Sequence, residues 1–151
     1  MEGLSLRPAR PSDLDALVRL LAELFSLEAD FRPDEARQRR GLTLLLEDRL
    51  RRTVIVAEAG GAVIGMVTGQ LVVSTAEGAA SVWVEDLVVA APSRRLGVGR
   101  QLLRAVEEWG AARGATRLQL LADRENRSAL AFYASLGWSG TQLVCLRRAR
   151  R

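Results

Sequence analysis

Arg94-Arg95-Leu96-Gly97-Val98-Gly99-Arg100 lies between an apolar run, Val82 to Val89, and an amphipathic run, Val98 to Arg113. A strand, a glycine-bearing turn flanked by arginines and a helix start are the parts of a phosphate cradle. Glycines let backbone N–H groups approach the oxygens, and the helix N-terminus adds unpaired donors and a positive dipole end. The segment predicts binding of a pyrophosphate-bearing ligand. Just ahead of it, Glu85 and Asp86 interrupt the apolar strand. A carboxylate inside such a strand is costly unless a cavity or partner solvates it. Strand alternation sends Asp86 to the opposite sheet face from Glu85 unless a bulge intervenes.

Composition narrows the chemistry. The chain has no histidine and no lysine, so all 22 basic residues are arginine. That removes Ser-His and Cys-His nucleophile systems, the phosphate-loop lysine and the Schiff-base lysine. Histidine-based metal sites are also excluded, and the single Cys145 cannot hold a structural zinc, so no metal is expected. Chemistry is left to carboxylates, tyrosine, hydroxyls, arginine and backbone groups. One cysteine fits a reducing compartment, and the N-terminus lacks the pattern of a signal peptide, so a cytoplasmic setting is expected. No apolar run approaches the roughly 18 residues of a membrane span. The net charge of +4 permits an anionic partner, but the arginines are scattered and aromatic residues few, so nucleic acid is not expected as a partner.

These residues must be held by a framework, and its pattern is readable. Leu4 to Arg7 is a short strand, and Ser12 caps a first helix with Asp15 three residues on. A second helical stretch runs from Pro33-Asp34 towards Leu50. Thr53 to Glu58 and Ala62 to Val73 are strands joined at Gly60-Gly61, a hairpin signal, and Val82 to Val89 completes a meander. After the central helix, stopped by Gly114, come a strand at Arg117 to Leu121 and a helix at Ser128 to Leu136, stopped by Gly137. Thr141 to Arg147 is expected to be a final strand, with Cys145 a small apolar residue in it, followed by a basic tail that ends at Arg151. Hairpins followed by crossover units predict one α/β domain over residues 1–151, with a mixed antiparallel/parallel central sheet and helices on both faces.

The phosphate motif can be sorted by elimination. A nucleotide-triphosphatase loop needs a lysine, and a dinucleotide fingerprint needs a third glycine where Leu102 stands. Glu85-Asp86-Leu87-Val88-Val89, then Arg94-x-x-Gly97-x-Gly99, resembles the acetyl-CoA signature of the GNAT N-acetyltransferase superfamily. Asn126-x-x-Ala129-x-x-Phe132-Tyr133-x-x-x-Gly137-Trp138 is similar to that family's second block, and Leu6-Arg7-Pro8-Ala9 with Ser12-Asp13-Leu14 to its opening. The resemblance covers nearly the whole chain and is weakest over residues 28–52.

The resemblance implies an N-acetyltransferase that takes acetyl-CoA as co-substrate and passes the acetyl group directly to a primary amine. An alkyl ammonium has a pKa of about 10.4, so a base must take its proton. Glu85 fills the family's base position. Tyr133 fills the position of the acid that protonates the departing thiolate. The resemblance also assigns Leu87, Val88 and Val89 to the pantetheine arm and thioester carbonyl through their backbone. Arg94, Arg95, Leu96, Gly97, Val98, Gly99 and Arg100 fall to the pyrophosphate. Asn126 falls to the pantetheine arm, or else it only caps the last helix. Glu-Asp on the strand with Asn126 and Tyr133 is most similar to the diamine and polyamine acetyltransferases, with Glu23, Glu28, Asp30 and Asp34 candidates to line a cationic acceptor site. An amino acid, an antibiotic or a protein amine is the alternative acceptor, and a CoA-sensing module without turnover the alternative function. A homodimer is expected, because dimers are common in the family.

Overall fold

The computed structural model of the chain describes residues 3–28 and 30–150; Arg151 of the basic tail, like Met1, Glu2 and Ala29, lies outside them. Among the described residues the elements are β1 (Ser5–Pro8), α1 (Leu14–Leu27), α2 (Glu35–Glu47), β2 (Arg52–Ala59), β3 (Ala62–Ser74), β4 (Ala79–Val89), α3 (Val98–Ala111), β5 (Ala115–Leu120) and α4 (Arg127–Ser135). The strands lie in chain order, each pair antiparallel except β4 with β5. A parallel pair needs a crossover, and α3 is that crossover. The result is the mixed α/β sheet predicted from the sequence. The β2–β3 hairpin turns on Gly60 and Gly61, at φ +57° and +77°, as a tight turn with two left-handed positions demands.

The chain divides between Leu120 and Leu121 into two compact units. The first holds the whole sheet with α1, α2 and α3. On one sheet face Leu17, Leu20 and Leu21 of α1 and Leu42 of α2 pack with Val54, Val56, Met66 and Val88. On the other face α3 lies close. A Cβ on Gly110 would come within 2.3 Å of Val82 Cγ2, and one on Gly69 within 2.6 Å of Val106 Cγ2. Two glycines, one on the helix and one on β3, therefore set the depth at which α3 seats against the sheet.

Three expectations need correction. Asp13, not Ser12, is the N-cap residue of α1, and its side chain reaches back to the preceding turn and makes no cap bond into the helix. Asp13 Oδ2 accepts from the Arg10 N–H at 2.7 Å and pairs with Arg7, which also holds Glu58 of β2. The nearby guanidinium holds the Asp13 carboxyl below its ordinary value. A carboxylate that accepts a backbone N–H and pairs with a guanidinium is held more firmly than a hydroxyl that offers a single bond. The central helix ends at Ala111, and Arg113 stacks on Trp109 with its guanidinium carbon 4.6 Å from the ring centroid. Thr141 to Arg147 is not a strand. Leu143, Val144 and Leu146 are 81%, 70% and 89% exposed, and Cys145 is exposed with them. β-rich composition makes a strand only where a partner supplies the ladder and the buried face.

Gly110→Ala is expected to destabilise the fold by about 1–3 kcal/mol, because the new methyl must displace Val82 or lift α3. Denaturant unfolding reads this directly; an unchanged midpoint would show that α3 does not depend on the close approach.

Candidate active site

The end of β4 is unlike the rest of the sheet. Pairing with β3 runs from Ser74↔Ala79 to Thr68↔Glu85, then resumes at Met66↔Val88. Val67 alone therefore opposes both Asp86 and Leu87, which is a β-bulge. Asp86 carries the irregular backbone, at φ +52°, a left-handed conformation that aspartate tolerates better than most side chains. The extra residue changes which face is which. Val82 packs towards α3, whereas Val88 belongs to the core beneath α1.

The two carboxylates at the bulge differ in environment. Glu85 is exposed, while Asp86 is partly buried. Thr68 Oγ1 donates a long hydrogen bond of 3.4 Å to Asp86 Oδ2. Burial, then the charges of Glu85 and of Glu28 at the end of α1, push the Asp86 carboxyl up to about 7. The sequence pattern missed Asp86, because period-two alternation carries no sign of a bulge. The signal available was a short acidic residue, at home in the left-handed region, in an otherwise apolar run.

Beyond the bulge, β4 outruns its parallel neighbour. The β4–β5 ladder ends at Val84↔Leu120, so Leu87, Val88 and Val89 continue past it. Backbone on that side of the strand lies outside the ladder, as the pantetheine assignment requires. The chain then turns through left-handed Arg95 and Gly97, at φ +63° and +80°, into α3. Gly97 is the N-cap of α3 and offers no side-chain cap. The helix's first bond runs from the Gln101 N–H to Gly97 O at 3.2 Å, so the N–H groups of Val98, Gly99 and Arg100 have no acceptor within the helix. That cradle fits a pyrophosphate.

The arginines divide. Arg94 Nε donates to Val89 O at 2.8 Å and its Nη2 pairs with Glu23 of α1 at 3.3 Å, so this side chain ties the turn to β4 and α1. Arg95 and Arg100 are exposed, and neither has an ion-pair partner among the described residues. Leu96 is an exposed residue of the turn, 53% accessible. Of the four acidic candidates for an acceptor site, Glu23 serves Arg94, and Asp34 caps α2 by accepting from the Arg37 N–H. Glu28 is the one coupled to Asp86.

The second unit carries the other two predicted site residues. Asn126 Oδ1 accepts from the Ala129 N–H at 3.0 Å and caps α4. α4 ends on Gly137 at φ +85°, with Gly137 N–H bonded to Ala134 O and Trp138 N–H to Tyr133 O, both at 3.1 Å. This is a Schellman stop, and it brings the Trp138 ring 5.9 Å from that of Tyr133, which also lies 5.4 Å from Phe132. Tyr133 is thus fixed by the helix terminus that follows it.

A model of the acetyltransferase (GNAT) family matches residues 14–138. By sequence the chain is similar to the aminoglycoside N(6′)-acetyltransferase type 1 of Salmonella typhimurium, at 28% identity over 121 residues, covering 78% of this chain and 82% of that protein. Among solved structures it is similar to a possible acetyltransferase from Clostridium difficile, with a TM-score of 0.86, 20% identity and 99% of each chain covered. It is also similar to the aminoglycoside N-acetyltransferase AAC(6′)-Iy in complex with CoA, with a TM-score of 0.82, 21% identity, and 98% and 95% of the two chains covered.

The raised Asp86 carboxyl has a measurable consequence for stability. Its folded value, about 7, lies above the ordinary 3.8, so the fold holds a proton that the unfolded chain releases between those limits. Stability from this group is present below the ordinary carboxylate range and is lost as pH rises to about 7. Asp86→Asn should therefore stabilise the protein at pH 8, by at most about 4 kcal/mol, with the gain fading as pH falls towards 4. Thermal unfolding across pH checks this; a gain independent of pH would remove the titration as its cause.

Proposed function

We propose that this chain, which belongs to the acetyltransferase (GNAT) family, moves an acetyl group from acetyl-CoA to a primary amine of a small polyamino compound, aminoglycoside-like amines first. The observation that carries the reading is the joint at the end of β4: acidic residues at the bulge, a stretch of strand beyond the parallel ladder, and a helix N-terminus with open N–H groups. The relative named for aminoglycoside N(6′)-acetylation, at 28% identity, supports the choice of acceptor. Diamines and polyamines form the second reading, favoured by the adjacent carboxylates Glu85 and Asp86. Both acceptor classes are polycations, which an acidic site recognises by the same chemistry.

Each of the chain's residues then has a task. The N–H groups of Leu96 to Arg100, with the Arg95 and Arg100 guanidinium groups, hold the pyrophosphate of the co-substrate. Arg94 holds the turn that presents them. Backbone groups of Leu87, Val88 and Val89 orient the pantetheine arm and polarise the thioester carbonyl. Bound acetyl-CoA supplies the activated acyl group. The carboxylates of β4 meet the acceptor ammonium and remove its proton, with Glu85 in the family's base position. Tyr133 donates a proton to the departing thiolate, and Asn126 steadies the pantetheine arm; both assignments follow from the family motif that these residues fill. A homodimer that covers exposed Leu143, Val144 and Leu146 belongs to the same reading, and light scattering in solution tests it.

Acetyl-CoA at a hundredfold its Kd should stabilise the protein by about 2.7 kcal/mol, a shift of several degrees in Tm that NAD and ATP do not reproduce. Gly99→Glu, which places a side chain and a negative charge at the cradle, should abolish that shift while the unliganded Tm changes little. A variant that still responds to acetyl-CoA would contradict the cradle. In an acceptor panel of kanamycin, sisomicin, spermidine and putrescine, release of free CoA thiol identifies the substrate class. With the best acceptor, Tyr133→Phe should lower kcat with the acetyl-CoA KM little changed; an unaltered kcat would remove the acid role.

A further inference from the structure

We propose that Asp86, rather than Glu85, is the group on which the acceptor's proton comes to rest, while Glu85 holds the ammonium in place. The inference rests on the amine-acetylation reading and deepens it by separating two tasks that the strand pattern gave to one residue.

The geometry favours this division. The bulge inserts Asp86 between exposed Glu85 and the stretch Leu87 to Val89 that carries the thioester. A left-handed residue in the middle of a strand is a costly arrangement that persists only where its surroundings fix it. Here that arrangement draws Asp86 inward against Thr68 of β3, whose side chain is 1% exposed. Among the described residues the charged groups that act on Asp86 are both acidic: Glu85 on its own strand and Glu28 at the end of α1. With Thr68 supplying only a neutral hydroxyl, the electrostatic balance favours the proton on Asp86, which is what a base near neutral pH requires. Exposed Glu85 has the opposite qualification, because a solvent-facing carboxylate attracts a cation without needing to take its proton.

An N–H bond of the acceptor ammonium breaks and the proton passes to a carboxylate oxygen of Asp86. The freed lone pair forms the N–C bond to the thioester carbonyl carbon, and the C–S bond breaks with its electron pair on sulfur. Tyr133 gives that sulfur its proton and the second proton lost from nitrogen restores the tyrosine hydroxyl, giving the amide, the free thiol and a protonated Asp86 that returns its proton to water.

The test is the pH profile of kcat/KM for the full chain with the best acceptor of the panel, in the wild type and in Asp86→Asn, Asp86→Gly and Glu85→Gln. Glycine is the control for the backbone, since it adopts φ +52° without strain. The wild type should show an ascending limb with a midpoint close to neutrality. Both Asp86 variants should lose that limb and fall about 10²–10³-fold at pH 8, while keeping the Tm response to acetyl-CoA. Glu85→Gln should keep the limb and raise the acceptor KM. An unchanged profile in both Asp86 variants, or loss of the limb in Glu85→Gln alone, would overturn the assignment and leave amine acetylation standing. A wild type that responds to acetyl-CoA yet acetylates no amine would overturn the acetylation reading, and the role of Asp86 with it.

Discussion

Between Glu85 and Val88, β4 carries one residue more than β3 opposes, and both hydrophobic layers are built around that insertion. A regular strand would place Val84 and Val88 on the same face, two alternations apart. The register against β3 gains one residue between them, and Val88 enters the core beneath α1 while Val82, earlier in the strand, packs against α3. Two hydrophobic layers are thus closed by a single strand that changes sides midway. Without the bulge, either the α1 core would lose Val88 or the α3 core would lose its β4 valines. The bulge also determines which carboxylate faces inward, so the chemistry at the end of the strand is tied to the packing of both layers.

The second requirement is that α3 begin where β4 ends. Its depth is set by Gly69 and Gly110, at which the sheet and the helix backbone come within reach of side chains that any Cβ would strike. Its start is set by the left-handed pair Arg95 and Gly97 and by the Arg94 side chain, which bridges Val89 O and Glu23. The donors of the first turn of α3 thereby follow the free edge of β4 within one short connection. A polar ligand that needs both a strand edge and a helix N-terminus finds them in adjacent chain segments.

Much of this was legible in the residues. Hairpin glycines, a crossover helix with a glycine stop and an apolar strand before a Gly-x-Gly turn identify the order of elements and the cradle, because each is a local signal with one main physical cause. What escaped was non-local. Arg94 reads as a phosphate residue from its place in the motif, but its ion pair with Glu23, 71 positions away in sequence, has no local signal. Ser12 reads as a cap, yet Asp13 stands at the N-cap, where Arg7 of β1 pairs with it. Thr141 to Arg147 has strand composition, but composition cannot supply a partner. The inward turn of Asp86 was hidden for the same reason, since a bulge is a property of two paired strands and only one of them carries the acidic pair. The acceptor was the least legible feature: Glu-Asp on the strand suits a diamine as well as an aminoglycoside, and both are recognised through charge.

At the bulge an ordinary carboxyl is expected to become a proton acceptor that works at neutral pH. A carbon-13 NMR titration of the aspartate side-chain carboxyls, with Asp86 assigned by the signal missing in Asp86→Asn, measures this in the folded protein without any acceptor. The account predicts a midpoint near 7 for Asp86. A midpoint near 4, the ordinary range for aspartate, would contradict it.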